Sequence, residues 1–174
     1  VMIKPSEFTP SVSALIEKLV GEVFSTDEVT VVQGDASVGA EFTKLPFDHL
    51  IFTGSTAVGR HVMAAAAANL TPVTLELGGK SPALIAPDYP VAQAADRIAF
   101  GKCFNAGQTC VAPDYVLLPE AQLEAFITAF ADSIARRYPD MADNAEYTGI
   151  INTRQSTRLQ AWLDEAKAAG VRTV

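Results

Sequence analysis

Short strand-forming runs alternate with helical segments along the first part of this chain, and this alternation constrains the fold more than any other feature. Strands are predicted over residues 1–3, 29–32 and 49–52, each ending at a polar or glycine-bearing turn. Helices are predicted from residue 10, over residues 36–42 and over residues 63–69. Strand and helix units that alternate at this spacing predict parallel strands joined by right-handed crossovers. The fold class is therefore α/β.

The pattern changes after residue 72. Strands are predicted over residues 73–77, 83–86 and 115–118, and helices over residues 91–104, 120–137 and 156–169. Two glycines, Gly78 and Gly79, separate the first two of these strands. We therefore predict two parts with a boundary near residue 72, the first over residues 1–72 and the second over residues 73–174.

Composition excludes several classes of function. The 174 residues are 49% hydrophobic and 19% charged, which is typical of a globular protein, and a net charge of −7 without a basic cluster argues against nucleic-acid binding. No apolar run approaches the roughly 20 residues needed to span a membrane. Two cysteines and two histidines do not match a metal-binding pattern, so no metal site is expected. Low cysteine use without a secretion signal predicts the cytoplasm.

A carboxylate lies in an otherwise apolar strand just before the two glycines, within Val73-Thr-Leu-Glu-Leu-Gly-Gly-Lys-Ser-Pro82. We expect Glu76 to be half-buried there, with desolvation raising its pKa towards neutrality, which suits a general base. The structural alternative is a glutamate that pairs with a neighbouring lysine or a backbone amide.

A thiol follows the polar turn Asn105-Ala-Gly-Gln-Thr, which comes after a predicted helix. We expect nearby amides to lower the pKa of Cys110 and to receive a developing oxyanion, whereas Cys103 lies within the helix and is expected to be an inert packed thiol. A thiolate adds to an aldehyde carbonyl, and a carboxylate such as Glu76 activates the water that hydrolyses the thioester. This pairing predicts an enzyme that oxidises aldehydes.

Two further segments are candidates for binding a nucleotide cofactor. Gly54, Ser55 and Gly59 follow a predicted strand, where the amides of a helix N-terminus hold phosphate; plain turn and packing glycines are the alternative. The spacing matches neither the common dinucleotide fingerprint nor a Walker loop, which excludes an ATPase. Lys4 and Glu7 follow the first strand, where they hold ribose hydroxyls in a nucleotide fold or are solvated turn charges.

Three segments together resemble the aldehyde dehydrogenase superfamily: Phe52-Thr-Gly-Ser-Thr-Ala-Val-Gly-Arg60, Val73 to Pro82, and Asn105-Ala-Gly-Gln-Thr-Cys-Val-Ala-Pro-Asp-Tyr115. The Cys-Val-Ala-Pro-Asp-Tyr continuation, Met63-Ala-Ala-Ala-Ala67 and Gly149-Ile-Ile-Asn152 resemble its class 3 branch, which includes fatty, aromatic and coniferyl aldehyde dehydrogenases. The resemblance covers nearly the whole chain. It implies a Rossmann-like NAD-binding part over residues 1–72 and part of an α/β catalytic domain over residues 73–174.

The resemblance also implies roles for individual residues. Cys110 is the nucleophile that forms a thiohemiacetal, and Glu76 activates the water that releases the acid. The implied cofactor contacts are Lys4 and Glu7 at the adenosine ribose, Gly54, Ser55, Val58 and Gly59 at the pyrophosphate turn, and Leu77 near the nicotinamide. Because Glu7 repels a 2′-phosphate, NAD is expected, with NADP tolerated. The expected substrate is coniferyl aldehyde or another aromatic or aliphatic aldehyde, and the expected assembly is a homodimer.

Family members are far longer than this chain, so we expect it to be an internal fragment with little turnover on its own, lacking an oxyanion asparagine and a nicotinamide-ribose glutamate. Three alternatives are retained. A reductive acyl-thioester enzyme is disfavoured by Glu76, and a non-catalytic relative by Glu76 together with Cys110. A thiol hydrolase is disfavoured because neither His49 nor His61 has an evident partner arrangement.

Overall fold

The computed structural model describes residues 1–174, which form two compact units, Val1–Leu77 and Gly78–Val174. The units divide after Leu77, whereas the sequence pattern placed the boundary near residue 72. The reason is strand pairing, because residues 73–77 form a ladder with the strand that begins at Leu50. No helix in the structure combines the length and the apolar character needed to cross a membrane.

The first unit contains two pairs of parallel strands with helical connections. Its strands are β1 (Met2–Ile3), β2 (Thr30–Val31), β3 (Leu50–Gly54) and β4 (Val73–Leu77). Its helices are α1 (Pro10–Val23), α2 (Ala36–Phe42) and α3 (Thr56–Ala67). Strand β1 pairs with β2, and β3 pairs with β4 from Leu50 opposite Val73 to Gly54 opposite Leu77. Helix α3 therefore starts directly after the end of β3 and returns the chain to β4.

Local signals determine where these helices begin. Pro10 occupies the first turn of α1, where its missing N–H costs no hydrogen bond. Asp35 caps α2 by accepting hydrogen bonds from the backbone N–H groups of Ser37 at 2.9 Å and Val38 at 3.3 Å. These signals explain why short-range patterns located the starts of α1 and α2. The third helix was predicted over residues 63–69, whereas α3 already begins at Thr56, directly after its cap Ser55.

The second unit contains one further pair of parallel strands and three longer helices. They are β5 (Ser81–Leu84), α4 (Val91–Cys103), β6 (Pro113–Leu117), α5 (Leu123–Arg137) and α6 (Thr153–Ala168). Short 3₁₀ turns lie at Glu120–Gln122 and Met141–Asp143, and a turn with left-handed backbone lies at Phe104–Gly107. Strand β5 pairs with β6 in parallel, with an irregularity between Ser81 and Pro82.

A small apolar core holds the second unit together. Its buried members are Ile85, Ala94, Ala95 and Phe126. The two alanines leave room on α4 for the Phe126 ring of α5, so that the two helices pack closely. The α/β class and the parallel pairing of the strands are confirmed. The strands pair two by two, whereas the sequence pattern predicted a common sheet.

Candidate active site

Cys110 lies on an exposed turn between the segment Phe104–Gly107 and strand β6. The backbone N–H of Ala112 donates to the carbonyl of Thr109 at 3.0 Å, and this bond closes the turn with Cys110 and Val111 at its centre. The thiol forms no disulfide. A free thiol at the centre of an exposed turn is accessible to a substrate carbonyl, as a nucleophile requires.

The backbone before this turn has an uncommon conformation. Three consecutive residues, Asn105, Ala106 and Gly107, have φ values of +51°, +53° and +72°. The left-handed region costs about 1 kcal/mol or more for a residue with a Cβ, and such strain concentrates at functional sites. Gly107 is needed for space as well, because a Cβ there would lie 3.1 Å from the carbonyl oxygen of Lys102. The turn sequence therefore encodes an unusual local geometry immediately before the thiol.

Gln108 connects this strained segment to a distant part of the second unit. Its side-chain Nε2 donates to the carbonyls of Asn105 and Gly149, both at 3.1 Å. Its Oε1 accepts from the backbone N–H of Ile151 at 2.9 Å. Sequence analysis did not single out Gln108, because two of its three partners lie 41 and 43 residues further along the chain. Its position two residues before the thiol is the one sequence feature that could have identified Gln108.

The backbone of the Gly78-Gly79 turn lies against the thiol loop within the second unit. A Cβ added to Gly79 would lie 3.6 Å from the carbonyl oxygen of Cys110, at ordinary contact distance. Nearby, Lys80 forms a salt bridge with Asp114, with 3.2 Å between Nζ and Oδ2. The Gly78-Gly79 turn therefore lies beside the backbone of Cys110.

Glu76 lies on β4 in the first unit, opposite Thr53 of β3. The prediction that it is half-buried was wrong, because its side chain belongs to the exposed face of the strand together with Thr74. Leu75 and Leu77 occupy the other, half-buried face. Alternate residues of a strand point to opposite faces, so an apolar strand still exposes one of them. The salt bridges of the first unit involve other residues, Lys4 with Glu7, Lys18 with Glu22 and Lys44 with Glu41.

Cys103 lies on α4 and is buried, with 6% of its surface exposed. Burial raises the pKa of its thiol above the ordinary value, which disfavours the reactive thiolate. The prediction of a packed thiol at Cys103 is confirmed. The chain therefore has one exposed and one buried thiol, seven positions apart in the sequence.

Glu7 lines a cleft of about 200 Å³ in the first unit. The other lining residues are Pro5, Ser6, Pro10, Ser13, Gln33 and Gly34. Lys4 lies beside this cleft, with its Nζ 3.6 Å from Oε2 of Glu7 and 3.0 Å from the carbonyl of Pro5. The lysine side chain is only 14% exposed, so it supports the carboxylate at the edge of the cleft. Neither side chain is therefore a fully solvated turn charge.

The glycine segment after β3 contains a capped helix start. Ser55 caps α3 by accepting a hydrogen bond from the N–H of Val58 at 3.3 Å. Gly59 is buried, and a Cβ there would lie 3.0 Å from Cδ2 of Leu77. Because glycine has no Cβ, α3 packs closely against β4 at this position. Gly59 therefore has a role in packing. At Gly54 an added Cβ would lie 2.5 Å from the Phe52 ring.

The sequence model of the aldehyde dehydrogenase family matches the whole chain, residues 1–174. This chain belongs to the aldehyde dehydrogenase family. It is 55% identical over 174 residues to the probable coniferyl aldehyde dehydrogenase of Pseudomonas aeruginosa, covering all of this chain and 37% of that protein. The dimeric NADP-preferring aldehyde dehydrogenase of Rattus norvegicus is 42% identical over 170 residues, which cover 97% of this chain and 38% of that enzyme.

A solved structure of an aldehyde dehydrogenase from Staphylococcus aureus, AldH in a substrate-bound state, superimposes with a TM-score of 0.87 at 40% identity. The match covers 96% of this chain and 37% of that one. The chain thus spans little more than a third of the length of the relatives that it matches.

Proposed function

We propose that the protein carrying this chain oxidises an aldehyde to a carboxylic acid with NAD(P), using Cys110 as the nucleophile. The observation that carries the proposal is the free, exposed thiol at the centre of a turn that follows three left-handed residues. Membership of the aldehyde dehydrogenase family supports the same chemistry.

Cys110 acts in the first half of the reaction. Its thiolate adds to the carbonyl carbon, so that a C–S bond forms and the carbonyl π electrons move to oxygen. The alkoxide then re-forms the C=O bond as the carbon loses a hydride, and a thioester on Cys110 results. Backbone N–H groups near the turn are suited to stabilise the alkoxide, because fixed dipoles need no reorganisation during the reaction.

Glu76 acts in the second half. It removes a proton from water while the oxygen adds to the thioester carbonyl, and the C–S bond then breaks with Cys110 leaving as a thiolate. The carboxylic acid is released and the thiol is ready for another cycle. The exposed position of Glu76 on β4 is consistent with this role, because a general base must reach a water molecule.

The first unit contains residues that fit a dinucleotide cofactor. Glu7 presents a carboxylate to the cleft of about 200 Å³, where it suits ribose hydroxyls, with Lys4 supporting it. Gly54 and Ser55 lie where α3 begins, and helix N-termini favour phosphate groups. We assign Val58 and Gly59 to the same turn and Leu77 to a backbone contact near the nicotinamide. When bound, NAD(P) accepts the hydride that the substrate carbon loses.

Glu7 favours NAD over NADP, because a carboxylate repels a 2′-phosphate. All of the assigned cofactor residues lie in the first unit and Cys110 lies in the second. This distribution supports a cofactor-binding role for the first part of the chain and a thiol-bearing role for the second.

We infer that the substrate is coniferyl aldehyde or a related aromatic or aliphatic aldehyde. The support is the 55% identity to the probable coniferyl aldehyde dehydrogenase of Pseudomonas aeruginosa. We further propose a homodimer, since a relative at 42% identity is described as dimeric. Both cysteines are free, which is typical of proteins in a reducing compartment, so we propose that the enzyme is cytoplasmic.

The proposal is tested by following NADH formation by the intact parent protein with coniferyl aldehyde and with hexanal. The wild type is compared with Cys110→Ala and with the control Cys103→Ala. Activity that is lost only in Cys110→Ala supports the thiol mechanism, and the ratio of rates for the two aldehydes defines the substrate class. Absence of activity with either aldehyde, under NAD and under NADP, would refute the proposed oxidation and favour the reductive alternative.

A further inference from the structure

The side chain of Gln108 binds the backbone of another segment in the way that a strand residue binds its neighbour. Its Nε2 donates to Gly149 O at 3.1 Å and its Oε1 accepts from Ile151 N–H at 2.9 Å. A residue in a parallel ladder likewise bonds to the residues on either side of its partner. The side-chain amide of Gln108 therefore makes the two hydrogen bonds that the backbone of a neighbouring parallel strand would make on either side of Ile150.

The same amide also closes the thiol loop on itself. Its Nε2 donates to Asn105 O at 3.1 Å, and the Asn105 side chain donates in return to Gln108 O at 3.2 Å. An amide has two donor hydrogens, and here both are used on backbone carbonyls. Gln108 thus joins the strained residues 105–107 to the segment 149–151 with one side chain.

Both ends of the thiol turn are consequently attached to regular structure. On one side, Cys110 is followed by β6, which pairs with β5. On the other side, Gln108 attaches the loop to residues directly before α6, whose first turn is capped by Asn152 through a hydrogen bond from Gln155 N–H at 3.0 Å. Without Gln108, this second attachment is lost, and residues 105–107 are free to relax towards common backbone angles.

We propose that Gln108 is a positioning residue for the Cys110 thiol: it holds the strained loop against the 149–151 segment so that the sulfur meets the substrate in one geometry. The predicted effect of Gln108 on catalysis rests on the proposed aldehyde oxidation. The hydrogen bonds of Gln108 are observed independently of that proposal. A displacement of about 1 Å in a reacting atom lowers rates on the order of a hundredfold.

The test uses Gln108→Glu and Gln108→Ala in the intact parent protein. Glutamate has nearly the same shape and still accepts from Ile151 N–H, but as a carboxylate it has no hydrogen to donate to Asn105 O and Gly149 O. A protonated glutamate recovers one donor. Gln155→Glu is the matched control, because it makes the same chemical change on a side chain whose Oε1 only accepts from Arg158 on the same helix.

We expect kcat of Gln108→Glu to fall about tenfold to a hundredfold near neutral pH, with KM for NAD unchanged. Relative to the wild type, kcat should recover as the pH is lowered and the carboxylate is protonated. A role in stability alone would instead change the melting temperature and leave the kcat ratio independent of pH. A folded Gln108→Glu protein with wild-type kcat at every pH would overturn the positioning role.

A second measurement is independent of activity. Hydrogen exchange at the Ile151 amide should accelerate at least about tenfold in Gln108→Ala, which removes its acceptor, and should stay slow in Gln108→Glu, which keeps it. Equal exchange in the wild type and Gln108→Ala would overturn the inference. If the wild type oxidises no aldehyde while Ile151 exchange still accelerates in Gln108→Ala, the proposed function fails and the attachment by Gln108 stands.

Discussion

The hydroxyl of Ser133 donates a hydrogen bond to Oδ1 of Asp96 at 2.6 Å, joining α5 to α4 between residues 37 positions apart. Ser133 is fully buried, with 0% of its surface exposed. Arg137 adds a salt bridge to Oδ2 of the same carboxylate at 2.9 Å. The hydrogen bond from Ser133 is the main cause that lowers the pKa of Asp96, and the charges of Arg137 and Arg136 lower it further.

Replacing Ser133 with alanine should lower the melting temperature by a few degrees at pH 7, because the carboxylate loses its buried donor. The folded-state pKa of Asp96 is depressed, so this contribution is present above the unfolded-state pKa and is lost as the pH falls through the folded value. The difference between wild type and variant should therefore shrink below about pH 4.

Thermal unfolding followed by circular dichroism from pH 3 to pH 8 measures this effect. Ser156→Ala is the control, since Ser156 is an exposed serine on α6 without a side-chain hydrogen bond. A stability difference that stays constant across the pH range would contradict a role for the ionised Asp96.

The two thiols should differ in their reaction with iodoacetamide. We expect Cys110 to be alkylated at least about tenfold faster than Cys103 at neutral pH. Cys110 is exposed, whereas Cys103 is buried and burial raises its pKa, so that less thiolate is present. Mass spectrometry of peptides from the folded protein gives both rates, and loss of the difference on unfolding is the internal control. Faster labelling of Cys103 would contradict the assignment of the nucleophile.

Replacing Glu76 with glutamine in the intact parent should separate the two halves of the reaction. Thioester formation on Cys110 remains, but hydrolysis slows by about 10²-fold or more without the general base. Rapid-mixing measurements should then show one equivalent of NADH per active site, followed by slow turnover. Glu146→Gln is the control, because Glu146 is an exposed glutamate without a side-chain partner. Unchanged steady-state turnover in Glu76→Gln would show that another group activates the water.

Replacing Glu7 with glutamine should change the preference between the two cofactors. Removal of the carboxylate at the cleft relieves repulsion of a 2′-phosphate, so kcat/KM for NADP relative to NAD should rise about tenfold. Glu41→Gln is a close control, because Glu41 forms a comparable pair with Lys44 at the same spacing, at 2.6 Å, outside the cleft. If the ratio of kcat/KM for NADP to that for NAD is unchanged in Glu7→Gln, the adenosine ribose does not bind at Glu7.

Short-range patterns were sufficient for the order of the helices and strands and for the nature of the thiols, although the third helix was predicted from residue 63 and begins at Thr56. The predicted helix over residues 36–42 coincides with α2, because Asp35 is a strong cap and the apolar spacing is helical. The contrast between Cys103 in a helix and Cys110 in a turn was also visible in the sequence. These features depend on interactions within a few residues, which a local pattern records.

Tertiary packing decided the exposure of Glu76, the division into two units and the contacts of Gln108. The exposure of Glu76 depends on which face of β4 is covered, and the apolar content of a strand does not specify that face. The division after Leu77 depends on its pairing with Gly54, and the role of Gln108 depends on partners 41 and 43 residues away. Capping, turn and periodicity signals act along the chain, whereas burial and side-chain attachment depend on segments that only folding brings together. The sequence by itself therefore determined the order and type of the elements, the family and the candidate reactive residue types. The tertiary structure determined which of their atoms are exposed and what holds them.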